Sequence, residues 1–178
     1  MFGIFLIVLA VVIVGLIVIV AMQPTDFRIA RSVVTSAPAP VVFAQVNDLH
    51  RWAAWSPWDK IDPAVRKTFE GPASGVGASY SWVGEKTGEG RMTTIECRPN
   101  ELLRFQLDFV KPFKANNIAE FSFKPQGNQT MVTWSMTGKN NFLTKAFNLI
   151  MNCDKMVGGE FEKGLASLKA VAETKTDP

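Results

Sequence analysis

Histidine, cysteine and tyrosine are almost missing from this chain. Among 178 residues there are one histidine (His50), two cysteines (Cys97 and Cys153) and one tyrosine (Tyr80). One histidine and two distant cysteines cannot build a zinc site, and there is no HExxH pair. The cysteines lack CxxC spacing, so a redox motif is not expected, and in a cytosolic domain both would be reduced thiols. A catalytic serine needs a positioned base. His50 falls at the end of an expected short helix, where it reads as a surface or capping residue, and no Gly-x-Ser-x-Gly occurs. Hydrolase chemistry is therefore set aside. The stretch Gly71-Pro-Ala-Ser-Gly75-Val-Gly77 lacks the Lys-Ser/Thr of a phosphate loop and leads into a strand, so its glycines read as a turn. A net charge of +3 without clusters gives no basis for nucleic-acid binding. No metal or cofactor is expected.

Charge is absent altogether from the first 25 residues; Asp26 is the first ionisable side chain. Residues 4–21 are almost pure Ile, Leu, Val, Phe and Ala, and a run of about 20 such residues spans a bilayer core. A cleaved secretory signal would carry a basic start, a shorter apolar stretch and a small-x-small cleavage site. None of these is present, since Ala21-Met22-Gln23 is a poor site. The reading is a permanent transmembrane anchor, residues 1–22, a linker at 23–26, one domain at 27–173 and a disordered tail at 174–178. Arg28 and Arg31 follow the span and no basic residue precedes it, which predicts a single-pass membrane protein with its domain in the cytoplasm.

After Pro24 breaks the first helix, residues 27–35 read as a strand with Phe27, Ile29 and Val33 on one side. Ser36-Ala-Pro38-Ala-Pro40 stops it and opens a short helix, 41–49, with Val42, Phe43 and Val46 inward. Three of the five tryptophans then fall within Trp52-Ala-Ala-Trp55-Ser-Pro-Trp58. Pro57 forbids a long helix there. From Val65 the pattern alternates: Val65, Lys67 and Phe69; Tyr80 and Trp82; then 90–97. In 102–109, Leu103, Phe105, Leu107 and Phe109 point inward, with Arg104, Gln106 and Asp108 outward. Phe121 and Phe123 follow, then Thr130, Val132, Trp134 and Met136. Hairpin compositions at 84–88 and 125–128 separate these segments. One polar face per strand implies an antiparallel sheet covered on one side only.

The last long stretch, 141–172, winds as one amphipathic helix. Phe142, Ala146, Leu149, Cys153, Met156, Val157, Phe161, Gly164, Leu165, Leu168 and Val171 gather on one broad side. Gly158-Gly159 interrupts it and would thin the helix where a ligand could approach. Glu160 lies at the edge of the apolar side. Buried there without a partner it would suit general acid/base work or ligand hydrogen bonding; alternatively it pairs with a base at the sheet edge or bends to solvent. The expected fold is α+β: a curved antiparallel sheet of about seven strands gripping a long C-terminal helix, plus the N-terminal transmembrane helix.

The order of these elements resembles the SRPBCC superfamily of START-like, Bet v 1-like helix-grip proteins, nearest its polyketide cyclase/dehydrase branch. The residues carrying the resemblance are Ala37-Pro38, Val41 to Phe43, Asn47-Asp48-Leu49 and the tryptophan stretch. Gly71-Pro72, Gly75-Val76-Gly77-Ala78, Gly138, Lys163-Gly164-Leu165 and Leu168-Lys169 add to it. The resemblance implies a cavity for apolar or amphipathic molecules and carries over no catalytic residue. The leading expectation is a membrane-anchored domain that binds a hydrophobic small molecule or lipid without chemistry. Its candidate lining is Trp55, Trp58, Tyr80, Trp82, Phe105, Phe109, Phe121, Trp134, Met156, Glu160 and Phe161. The tryptophans read first as a cap on the core, with Trp52 deepest and Trp55 or Trp58 nearer any ligand; the other readings are an apolar gate at the cavity mouth and a rest at the headgroup level of a membrane. An alternative is a cyclase- or dehydratase-type enzyme using Glu160 and Tyr80. A second alternative is an interaction protein whose cavity its own side chains fill.

Overall fold

The computed structural model describes residues 2–175. Helix α1, Phe2–Met22, leads through a three-residue link into strand β1, Asp26–Thr35. Helix α2, Ala39–Asn47, a 3-10 helix at Leu49–Ala54 and helix α3, Pro57–Ile61, follow. Six strands come next: β2 Arg66–Glu70, β3 Ser79–Val83, β4 Glu89–Arg98, β5 Leu102–Lys111, β6 Ala115–Gln126 and β7 Gln129–Lys139. Helices α4, Phe142–Ile150, and α5, Cys153–Glu173, close the chain.

The seven strands form one antiparallel sheet in the order β1-β7-β6-β5-β4-β3-β2. Each hairpin pairs with its sequence neighbour, and only β1 travels, crossing to pair with β7 from Asp26↔Lys139 to Thr35↔Thr130. The alternation expected of the strands holds. Ile29, Leu103, Phe105, Phe121, Phe123, Val132 and Trp134 are buried on the inner side. The outer side carries ion pairs such as Arg104 with Glu96 and Glu120, and Arg91 with Glu70. Val42, Phe43 and Val46 of α2 are buried as expected.

Helix α5 lies across the inner side and buries Gly158, Phe161, Gly164, Leu165, Leu168 and Ala172. These fall three and four residues apart, one side of a 3.6-residue helix, and each large apolar chain contributes about 1.5–3 kcal/mol of burial. The expected single helix over 141–172 is two helices. Met151 and Asn152 leave the helical path, and the Asn152 side chain caps the restart by accepting the Lys155 amide (2.9 Å). Asn141 caps α4 in the same manner through the Thr144 amide (2.8 Å). The first part of the expected apolar side therefore never reaches the sheet: Phe142, Leu149 and Met156 are exposed.

Helix α1 stands clear of the sheet and touches α4. Over Gly3–Met22 it is long and apolar enough to cross a membrane. At the other end of the chain, Thr174 and Lys175 form a turn after α5, and the Lys175 ammonium reaches the Gln45 amide oxygen (3.4 Å). The remainder of the expected tail, 176–178, lies outside the described residues, as does Met1.

Candidate functional site

Between the inner side of the sheet and α5 lies a cavity of about 300 Å³. Its position follows from side-chain size along the strands. Ala119 sits at the middle of β6, opposite Phe105 on β5 and Met136 on β7. A methyl group where its neighbours carry large side chains leaves volume unfilled. To one side the space is closed by aromatic packing, as Trp52 meets Trp55, Phe105 and Phe121 edge-on or tilted at 4.7–5.9 Å between ring centroids. To the other side it stays open, lined by Trp82, Met92, Leu107, Phe109 and Met136 from the sheet. Trp58 and Ile61 of α3 and Val157 and Phe161 of α5 complete the wall.

The tryptophans split by role. The Trp52 indole donates to the Val46 carbonyl (2.9 Å) and the Trp55 indole to the Gln45 carbonyl (3.1 Å), so both rings are pinned to the end of α2. Both are buried, so neither rests at a membrane surface. Trp55, with no exposed surface, does not border the cavity; Trp52 and Trp58 do.

Polar groups at the cavity are few. The Tyr80 hydroxyl makes no hydrogen bond among the described residues, and Tyr80 borders the cavity. Burial pushes its pKa well up, with the Asp59 carboxylate adding to the effect, so it is a neutral hydrogen-bond donor. The Lys67 ammonium lies 5.0 Å from the Tyr80 ring centroid and pairs with Asp59 at 2.5 Å. Trp134 is sandwiched between Phe121 (4.8 Å) and Phe161 (4.1 Å, 9° between planes). Its indole N–H is buried without a partner among the described residues. Two aromatic side chains that carry such donors, Tyr80 and Trp134, thus border one apolar space. Lys86 and Thr87, at the tip of the β3–β4 hairpin, form part of its rim. Both are tied to Asp62, whose carboxylate accepts the Lys86 amide (2.9 Å) and the Thr87 amide and hydroxyl (3.3 and 3.2 Å). These bonds, the Lys86 amide first, hold the Asp62 pKa below its ordinary value.

Of the residues expected at a ligand, Trp58, Tyr80, Trp82, Phe109, Trp134 and Phe161 border this cavity. Trp55, Phe105 and Phe121 are packed behind its wall. Met156 faces outward. Glu160 pairs with Lys163 one turn along the same helix (2.7 Å) and does not border the cavity, so it does not meet Tyr80 there. Gly158 does not thin α5 for a ligand either, because the Arg31 guanidinium occupies the space beside it. Arg31 is an inward residue that the strand's apolar alternation does not mark, and it stands in register with Trp134 on the apolar side of β1. Lys67 carried the same signal, a charged residue at an inward strand position.

A second, more open groove of about 900 Å³ lies beside the first, walled by the start of β1, the β5–β6 connection, the end of β7 and helices α4 and α5. Met136 and Val157 border both spaces. Among the described residues no group of His, Cys, Asp and Glu is placed to hold a metal.

Solved structures share this fold. Protein MLL2253 from Mesorhizobium loti is 12% identical, with a TM-score of 0.63, covering 85% of this chain and 100% of that one. The Aha1 dimer from Colwellia psychrerythraea is 15% identical, with a TM-score of 0.61, covering 85% and 99%. The di-domain ARO/CYC BexL from the BE-7585A biosynthetic pathway is 17% identical, with a TM-score of 0.62, over 90% of this chain and 53% of that one. At such identities the likeness is one of fold. No curated protein sequence matches the chain. The family described as polyketide cyclase / dehydrase and lipid transport matches residues 26–173, the whole of the sheet with α2, α3, α4 and α5, and the chain belongs to that family.

Proposed function

We propose that this is a membrane-anchored carrier or receptor domain that binds an apolar molecule bearing an acceptor oxygen. The observation that carries the reading is the cavity itself: about 300 Å³, walled by aromatic and aliphatic side chains. Among the described residues the Trp134 indole N–H is buried without a partner, and Tyr80 stands at the same wall. An apolar pocket with a few convergent polar groups is the usual form of a small-molecule site. A carbonyl, ester or carboxyl oxygen would satisfy the Tyr80 hydroxyl or the Trp134 indole, while the rest of the ligand replaces water against apolar wall. Helix α1 would hold the domain at the bilayer, which suits a ligand that partitions into lipid. Arg28 and Arg31 would keep the domain on the cytoplasmic side.

The test is native mass spectrometry of the full chain extracted in mild detergent. Co-purification of a lipid or hydrophobic metabolite is expected; a ligand-free protein that also fails to take up added fatty acid, sterol or polyketide would refute the reading. Proteolysis of sealed spheroplasts checks orientation, with the domain expected to resist protease added outside.

A catalytic reading draws on the fold shared with the di-domain ARO/CYC BexL, and the groups available to it are Tyr80 and the Lys67–Asp59 pair at the cavity. It requires that a bound ligand change mass or chromophore on incubation, and a ligand recovered unchanged argues for carriage.

A further inference from the structure

Helix α4 is built inside out. At 100° per residue Phe142, Leu143, Ala146 and Phe147 sweep one broad side, and Thr144, Lys145 and Asn148 take the other. A surface helix of a soluble domain turns its apolar side to the core. Here Thr144 and Asn148 border the groove toward the sheet, while Leu143 is 66% exposed, Phe142 49% and Phe147 44%. That is the arrangement of a helix lying in the plane of a membrane, apolar side toward the acyl chains.

The chain fixes where this helix sits. The Thr25 carbonyl accepts the Asn140 amide (2.7 Å), and the Lys145 ammonium reaches the Thr25 hydroxyl (3.0 Å). Thr25 is only three residues beyond the end of α1, and α1 and α4 are in contact. The β5–β6 connection at the same end of the sheet presents Phe113, 56% exposed. Behind α4, the groove is lined by Arg28, Lys114 and Lys139 and by one carboxylate, Asp154, which is paired with Arg31 (3.0 Å), and this net positive lining suits an anionic head group. The Asn148 side-chain oxygen is buried there without a partner among the described residues. The groove meets the apolar cavity at Met136 and Val157.

We propose that α4 rests in the headgroup layer beside α1, and that the groove behind it is the passage by which an amphipathic lipid moves between bilayer and cavity. The inference rests on the reading that α1 spans the membrane. The contact of α4 with α1 and the basic groove favour lipid over a second protein as the occupant of the apolar side.

The experiment uses the full chain in nanodiscs of phosphatidylcholine and phosphatidylglycerol, with Cys97→Ala and Cys153→Ala as background. Spin labels are placed singly at Leu143→Cys and Phe147→Cys, at Val12→Cys in α1, and at Val76→Cys at the far end of the sheet. Collision with oxygen, which concentrates in lipid, is compared with collision with an aqueous nickel chelate. The expected result is an oxygen-to-nickel ratio at 143 and 147 several-fold above that at 76 and near that at 12. Labels at 143 and 147 that behave like 76, or that are shielded from both reagents by a protein partner, overturn the proposal. With 12 in lipid, such a result refutes the α4 placement alone. A water-exposed label at 12 refutes the spanning reading and this one with it.

Discussion

The guanidinium of Arg31 lies directly against Gly158, in the space a Cβ would need. Arg31 points inward from the edge strand β1 and passes beneath α5, where it binds Asp154 on one side of the glycine and Glu162 on the other (3.0 and 2.7 Å). Residues 154, 158 and 162 are one turn apart, so two carboxylates and a gap form a slot for one arginine. The neighbouring Gly159 has nothing within 4 Å of its Cβ position.

Two substitutions in adjacent residues should therefore have opposite signs. Replacing a helical glycine by alanine ordinarily stabilises by about 0.5–1 kcal/mol. Gly159→Ala should show that gain as a rise in the Tm of the domain. Gly158→Ala should lose about 1–3 kcal/mol, the cost of overpacking against a held side chain. Adding Arg31→Ala to Gly158→Ala should recover part of the loss. Equal effects at both glycines in thermal unfolding would show that Arg31 is not held in this slot.

Ala119 is the residue whose size keeps the cavity open. Ala119→Phe should project a ring into it from the centre of β6, between Phe105 and Met136. Native mass spectrometry is expected to show loss of the bound molecule, while Tm stays level or rises because the ring fills space rather than displacing packed atoms. A fall in Tm with ligand retained would mean that the space is not the binding site.

Tyr80 gives a sign that depends on pH. Its folded pKa is raised above the ordinary 10.0, so its stabilising contribution is complete below about pH 10 and is lost as pH climbs from there toward the folded value. Chemical denaturation from pH 7 to 11 should show stability falling above about pH 10, and Tyr80→Phe should flatten that fall. Because the hydroxyl has no partner among the described residues, Tyr80→Phe should leave stability at pH 7 nearly unchanged. Ligand affinity should drop roughly fivefold, the worth of one neutral hydrogen bond of about 1 kcal/mol. An unchanged affinity would remove Tyr80 from the ligand's contacts.

The strands were legible because a sheet covered on one side writes its burial into the sequence with period two, as in Leu103, Phe105, Leu107 and Phe109. The same pattern could not tell lining from filling. Phe105 and Phe109 are equivalent by alternation, yet one is packed behind the wall and the other borders the cavity, because Ala119 and Trp52 of the 3-10 helix decide where space remains. The division of the last helix was hidden for a related reason. Apolar residues recur three and four apart straight through Met151 and Asn152, so periodicity continues although the backbone does not. The capping asparagines Asn141 and Asn152, each followed by a helical turn, were the available signal. Glu160 lies at an apolar edge in the helical pattern, but a lysine three residues later satisfies it locally. Arg31, which does reach inward, sits in a strand whose inward neighbours Ile29 and Val33 are apolar, and its carboxylate partners lie more than a hundred residues away in sequence.

Asp62 holds the hairpin that rims the cavity, and its protonation should loosen that rim. The carboxylate accepts two amides and one hydroxyl from Lys86 and Thr87, and its folded pKa is lowered from 3.8. The contribution is therefore fully present above about pH 4 and is lost as pH falls through the folded value below that. Between pH 5 and 8 the hairpin should be insensitive to pH. Asp62→Ala should reproduce the acid-loosened state at pH 7, with faster hydrogen exchange at the Lys86 and Thr87 amides and faster ligand release. Amides of the central strands, such as Phe121 and Trp134, should keep their protection. Exchange at Lys86 and Thr87 that is unaltered in Asp62→Ala would mean that the β3–β4 pairing alone fixes the rim.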